Sequence, residues 1–188
     1  MASSEAEICN LALQEIGAQR ILSLNDNTPE GKICKDFYAN VRDEMLRSHP
    51  WKFATKRVAL ALITPDVPAF GFDNYFQLPA DCLRVLKVEG DEQAAWTVEG
   101  NRLLTDDSTA TIKYIAKITN VALYDPTFVQ ALALKLAYKI SFGLVQSTSL
   151  RQSLQVEYLE AVRTARSFNG QEGAGDRVYA DDWLNSRF

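Results

Sequence analysis

Residues 28–53, TPEGKICKDFYANVRDEMLRSHPWKF, decide the fold, because one helix starts and ends within them. Thr28 followed by Pro29 is a helix-start signal: a capping hydroxyl and then a proline at the first helical position. Pro50 predicts the end of the helix near His49, since the residue before a proline is pushed out of the α region. Apolar residues between these signals recur at helical spacing and form one stripe: Ile33, Cys34, Phe37, Tyr38, Val41 and Met45.

Three further helices are predicted on either side of this stretch. Ser4 and Glu7 have the spacing of a capping box at the start of a helix over residues 4–16. Asp125 and Pro126 start a helix over residues 126–146 that is apolar on nearly every side. Such a helix must be covered, so it is either the centre of a bundle or part of a subunit interface. The last helix is predicted over residues 149–168.

The period changes between the second and third helices. Short runs such as NYFQLP, LRVLKVEG and TATIKYIAKI are separated by turn-forming residues, and several alternate apolar with polar residues. Gly100 and Asn101 are typical of a hairpin turn. We therefore expect a small antiparallel sheet over residues 74–118.

These elements predict an α+β fold: a mainly α-helical bundle of about four helices with an inserted small antiparallel β region and an extended C-terminal arm. The bundle is assigned to residues 1–73 and 119–168, the β insertion to residues 74–118, and the arm to residues 169–188. NGQEGAG, residues 169–175, is typical of a flexible hinge.

The C-terminal arm holds an apolar set that is unfavourable to leave in water. Full burial of each large member stabilises by about 1.5–3 kcal/mol. The arm either packs back on its own domain or docks onto another protein, and the glycine hinge favours docking. The candidate partner-binding residues are Val178, Tyr179, Trp183, Leu184 and Phe188.

Composition and charge are those of an ordinary globular protein. The 188 residues suit one domain, and the net charge of −4 gives no general attraction to nucleic acid or anionic lipid. The N-terminus lacks the pattern of a signal peptide. Lys135 and Lys139 interrupt the most apolar segment, which argues against a membrane span. The three cysteines, Cys9, Cys34 and Cys82, are expected to be reduced thiols.

No catalytic residue, metal site or cofactor is predicted. His49 is the single histidine, and a helix end favours its imidazolium form because carbonyl groups point outward there. We interpret His49, Pro50, Trp51 and Phe53 as a structural corner. A hydrolase that uses a carboxylate pair remains an alternative, with Asp106–Asp107 and Asp181–Asp182 as the pairs present, although aspartates in turns are usually structural.

A nucleic-acid-binding module centred on residues 47–57 is the second alternative. Trp51 and Phe53 stand among the basic residues Arg47, Lys52, Lys56 and Arg57. Basic residues interleaved with aromatic ones can contact phosphates and stack on bases.

Three stretches resemble the head-to-tail adaptor (connector) proteins of tailed phages, and most closely the tail tubular protein A group of short-tailed phages. They are EICNLALQEIGAQRILSL, FYANVRDEMLRSHPWKFATKR and FGFDNYFQLPADCLRVLKV, which together cover most of residues 5–90. The most distinctive motif is R-D-E-x-L-R-x-H-P-W-x-F-A, in which Met45 fills the variable position.

The resemblance implies a structural virion protein of the tail and neck, made in the host cytoplasm and without enzymatic duty. It implies a homo-oligomeric ring, a dodecamer, that binds the portal protein, extends the DNA channel and carries the tail nozzle protein. Double-stranded DNA passes through the lumen of such a ring during ejection without sequence-specific binding. Portal docking falls on residues 176–188, and the β insertion faces the next tail component.

Overall fold

The computed structural model describes residues 4–90 and 94–173 and confirms an α+β fold. In these ranges the chain forms four helices: α1 (Glu5–Glu15), α2 (Pro29–Ser48), α3 (Pro126–Val145) and α4 (Thr148–Gln171). Between α2 and α3 lie seven strands: β1 (Thr55–Ala59), β2 (Ala61–Leu62), β3 (Asn74–Gln77), β4 (Cys82–Glu89), β5 (Trp96–Glu99), β6 (Arg102–Thr105) and β7 (Thr111–Ala116).

Capping side chains start all four helices. The Ser4 hydroxyl accepts a hydrogen bond from the Glu7 amide at 3.2 Å, and the Thr28 hydroxyl accepts one from the Gly31 amide at 3.1 Å. The Asp125 carboxylate accepts from the amides at the start of α3, and Ser147 caps α4 in the same way. Each cap satisfies an amide that the helix itself leaves without a partner.

α3 is the centre of the helical bundle and packs against α1, α2 and α4. Leu132, Leu136 and Ile140 are fully buried. The sequence predicted that this helix lies either at the centre of a bundle or in a subunit interface, and the structure places it at the centre of the bundle. α3 is also long and apolar enough to cross a membrane, a property that the core helix of a bundle shares.

The strands form two antiparallel sheets. One has the order β1-β7-β4, and the other has the order β2-β3-β6-β5. Gly100, at a positive φ of 60°, turns the chain between β5 and β6, where a hairpin was predicted. Buried residues from both sheets join those of the helices in one continuous core.

The strands begin earlier than residue 74, the predicted start of the β region. β1 follows directly from the corner at the end of α2 and pairs with β7, where Thr55 lies opposite Ile115. This pairing joins segments far apart in the sequence, and no local pattern signals it. The first sheet is therefore attached to the second helix without an intervening linker.

Candidate functional site

The corner between α2 and β1 is built around Trp51. α2 ends at Ser48, and His49 has an extended backbone conformation ahead of Pro50. The Trp51 indole is only 1% exposed, and its Nε1 donates a hydrogen bond to the Met45 carbonyl oxygen at 2.9 Å. The indole thus satisfies a carbonyl in the last turn of the helix that it terminates.

Four aromatic rings join this corner to the start of α3. The centroid of Phe128 lies 5.0 Å from those of both Trp51 and Phe53, in edge-to-face arrangements. Tyr124 lies 5.2 Å from Phe128 and 5.7 Å from Phe53. Edge-to-face pairs at these distances stabilise beyond the burial of their area. The corner and the start of α3 therefore share one aromatic cluster, formed by Trp51, Phe53, Tyr124 and Phe128.

His49 does not favour the imidazolium form expected from its place at a helix end. Burial, together with the positive charges of Arg166 and Arg84, lowers the pKa of His49 from its ordinary value. Its Nε2 lies 3.1 Å from the side-chain amide nitrogen of Asn169, which places the neutral ring as acceptor. Burial, with the neighbouring cations, outweighs the favourable field of the helix end.

Asn169 fastens the end of α4 to the corner. Its side-chain oxygen accepts a hydrogen bond from the Lys52 amide at 2.8 Å, and its amide nitrogen lies 3.3 Å from the Pro50 carbonyl oxygen. The sequence pattern predicted a flexible hinge at residue 169 and an end of the last helix near residue 168. α4 instead continues to Gln171, because the corner binds Asn169. We call these three contacts, with His49, Pro50 and Lys52, the Asn169 clasp.

The corner keeps its four basic residues exposed but lacks an exposed aromatic ring beside them, which a nucleic-acid module would need for base stacking. Trp51 is buried, so its ring cannot stack on a base. Arg47 donates to the Leu83 carbonyl oxygen at 2.8 Å, and Lys56 pairs with Asp81 at 2.7 Å. Arg57 is exposed on β1. The Arg47 contact holds β4 of the first sheet against the end of α2, and the Lys56 pair joins β1 to the start of β4.

The carboxylate pair Asp106–Asp107 serves a turn. Asp106 Oδ1 accepts from the Asp73 amide at 3.1 Å, and the Asn74 side chain donates to both backbone carbonyls of the pair. Within residues 4–90 and 94–173, no cluster of histidine, cysteine and carboxylate side chains could hold a metal ion. Asp181–Asp182 lies outside the described residues.

A buried ionic network at the middle of α2 had no clear signal in the sequence. Arg42 is 4% exposed and donates to Asp43 at 2.8 Å, while Asp43 also pairs with Lys117 at 2.8 Å. Burial opposes ionisation of Asp43, but the bonds from Arg42 and Lys117 outweigh it and hold the pKa of Asp43 below its usual value. On α3, Lys135 is buried against Glu44 at 2.8 Å.

The predicted partner-binding residues lie outside the described residues: Val178, Tyr179, Trp183, Leu184 and Phe188. The other predicted set, His49, Pro50, Trp51 and Phe53, is brought together at the corner. Asn169 completes this corner. No sequence pattern indicates it, because its contact with Lys52 joins residues more than a hundred positions apart.

Comparison with known proteins identifies the class. A family model described as tail tubular protein matches residues 6–125, which include α1, α2, the corner and both sheets. The protein is thus a structural component of the phage tail. The chain belongs to the tail tubular protein family, and the resemblance found in the sequence is confirmed. A search of the curated proteins returned no match.

Family membership indicates the kind of particle in which the protein is found. Tail tubular proteins are virion tail components that oligomerise and assemble with other phage structural proteins. The corner and the Asn169 clasp therefore belong to a subunit of a larger assembly.

Proposed function

We propose that this protein is a head-to-tail adaptor. In this proposal twelve copies form a ring that docks on the portal protein, extends the DNA channel and carries the tail nozzle protein. The family match over residues 6–125 supports the tail setting. Such a ring acts by assembly, and no enzymatic step is needed in this role.

The Asn169 clasp is the observation that carries the proposal. It fixes the last turn of α4, which ends at Gln171, against the corner, so the described part of the chain ends at a fixed position. A segment that starts from a fixed point loses less conformational entropy when it binds than one on a long flexible linker. We assign portal docking to this segment, with Tyr179 and Trp183 among its apolar anchors.

The two sheets are assigned to the nozzle side of the ring. They form the β region between α2 and α3, and they are attached to α2 through the corner. The four helices then form the body of each subunit, between the portal and the nozzle.

DNA passage is supported by the charge of the chain. The net charge of −4 is of the same sign as the DNA backbone. A ring of such subunits has little general attraction for phosphate, so DNA can move through without being held. Ejection of DNA through the lumen requires such weak contact.

The docking step is tested by binding to purified portal rings. The full chain is compared with a variant that lacks residues 174–188, which keeps the Asn169 clasp and therefore the described fold. We expect the full chain to co-sediment with portal rings and the truncated chain to lose at least tenfold in affinity. Substitution of Gln171, which is exposed at the end of α4, provides the control.

Two outcomes would contradict different parts of the proposal. Equal binding by the truncated chain would remove the assignment of docking to residues 174–188. No binding by the full chain would remove the adaptor role itself.

A further inference from the structure

An exposed apolar knob projects from the second sheet. The loop of residues 63–73 joins β2 to β3 and carries Phe70, which is 89% exposed, and Val67, which is 64% exposed. Asp66 in the same loop pairs with Arg102 at 2.9 Å, so the loop is tied to the sheet. Large apolar side chains this exposed on an anchored loop indicate a surface that meets a partner. We call this loop the 63–73 knob.

The knob lies on the outer face of the second sheet. The register places Arg102 opposite Gln77, and the guanidinium lies over the ring of Tyr75 at 4.9 Å. Arg102 and Tyr75 therefore share one face of the sheet, and Asp66 reaches that face. The other face carries Phe76 and Leu103, which are buried in the core.

A groove opens on the inner face, at the free edge of the same sheet. In the register, Trp96 lies opposite Thr105 and Val98 lies opposite Leu103, so both point toward the core side. They are nevertheless 39% and 40% exposed, because β5 is an edge strand. The groove has a volume of about 440 Å³ and is lined by Arg47, Leu78, Cys82, Leu83, Arg84, Val85, Trp96, Val98 and Gly100. We call it the β4–β5 groove.

The knob and the groove have complementary charge. The 63–73 knob carries Asp73 and Asp66 and no basic residue, and because Asp66 is paired with Arg102, Asp73 supplies its uncompensated negative charge. The β4–β5 groove is lined by Arg47 and Arg84 and by no carboxylate. Opposite charge around an apolar contact selects its partner and its orientation.

We infer that the 63–73 knob of one copy inserts Phe70 and Val67 into the β4–β5 groove of the next copy. The two surfaces differ and lie on opposite faces of one sheet, so the contact is head-to-tail. Contacts of this kind generate rings when the rotation closes. The inference rests on the proposed ring and names the surfaces that join its subunits.

The groove contains a native thiol that makes the contact testable by cross-linking. Cys82 lines the groove and is partly exposed, whereas Cys9 and Cys34 are buried. An Ala69→Cys variant, which keeps Phe70 and places a thiol beside it at an exposed position of the loop, is assembled on portal rings, treated with a short bismaleimide at mildly alkaline pH, and resolved on a denaturing gel. We expect a ladder of covalently joined copies.

Two controls identify the cross-link. The double variant Ala69→Cys, Cys82→Ala should give no ladder. Leu22→Cys should also give none, because Leu22 is 95% exposed but lies on the loop after α1, away from the knob. Normal assembly of Ala69→Cys without a Cys82-dependent ladder would overturn the inference.

A second variant measures the energetic role of Phe70. Phe70→Ser should weaken association between copies by about tenfold or more, since a buried phenylalanine anchor is lost, whereas Leu22→Ser should leave it unchanged. Equal association of Phe70→Ser and the native chain would contradict the contact.

Both measurements are repeated at high protein concentration without portal rings, which separates this inference from the proposed function. Copies that cross-link through Cys82 but do not bind portal support the contact and contradict the adaptor role. A chain that remains monomeric under both conditions contradicts both.

Discussion

Trp51 links the helices to the sheets through one side chain. Its indole nitrogen binds the end of α2, and its ring packs on Phe128 at the start of α3, next to the turn that leads into β1. It is 1% exposed, so truncation leaves a cavity that these three elements share. Loss of this side chain therefore affects the fold well beyond its own turn.

We predict that Trp51→Ala lowers the free energy of unfolding by about 3–5 kcal/mol, because a large buried ring is replaced by a cavity. Urea denaturation followed by far-ultraviolet circular dichroism measures this loss. Trp51→Phe, which keeps an aromatic ring and removes the indole hydrogen bond to the Met45 carbonyl oxygen, should cost less, since Ser48 still donates to that oxygen. A loss below about 1 kcal/mol for the alanine variant contradicts the role of Trp51 as an anchor of the core.

His49 should make stability depend on pH in a defined direction. Its folded-state pKa lies below the ordinary 6.5, because burial, Arg166 and Arg84 disfavour the charged ring. The unfolded chain therefore binds the proton more readily. Stability from the neutral ring is fully present above pH 6.5 and is lost as pH falls from there toward the folded-state pKa.

We expect the His49→Gln variant to lose less stability as pH falls, because it lacks the imidazole that takes up the proton. Unfolding free energies measured from neutral to mildly acidic pH should fall more steeply for the native chain than for the variant. Parallel curves would contradict the assigned shift in the pKa of His49.

At the scale of elements, the end of α4 is held by side-chain hydrogen bonds with little apolar contact. Phe168, one residue before the Asn169 clasp, is 52% exposed. The last turn of α4 therefore depends on the clasp.

We predict that Asn169→Ala frees the last turn of α4 while the rest of the bundle stays folded. Hydrogen exchange should become faster at the Lys52 amide and at the amides near residue 169, since each bond lost contributes about 0.5–1.5 kcal/mol. Gln171→Ala, at an exposed position on the same turn, is the matched control. Unchanged exchange at Lys52 in Asn169→Ala would show that the clasp does not hold the helix.

Sequence patterns predict the elements whose signals are local. Thr28, Asp125 and Pro50 mark helix ends through contacts within one turn, so their effects can be read directly. The pairing of β1 with β7 and the contact of Asn169 with Lys52 join distant segments, and the patterns missed both. Lys135 is polar by type, yet it is buried because Glu44 of α2 lies against it. At the candidate site, Trp51 and Phe53 are neighbours in the sequence and could be considered together, whereas Asn169 is distant and was assigned to a hinge.

At the scale of the whole molecule, the surfaces assigned to partners lie on different parts of the chain. The proposed portal contact follows α4, while the proposed contacts between copies use the 63–73 knob and the β4–β5 groove. Subunits built in this way can bind their neighbours and the portal at the same time. Each added copy on the portal then helps the next to bind, because two contacts form together.

The central claim is that this tail tubular protein forms a ring on the portal. Native mass spectrometry of portal rings saturated with the full chain tests it most directly. The account predicts an added mass of twelve chains of 21.0 kDa each, bound in an all-or-none manner. Portal rings with no added mass at saturating protein would contradict it.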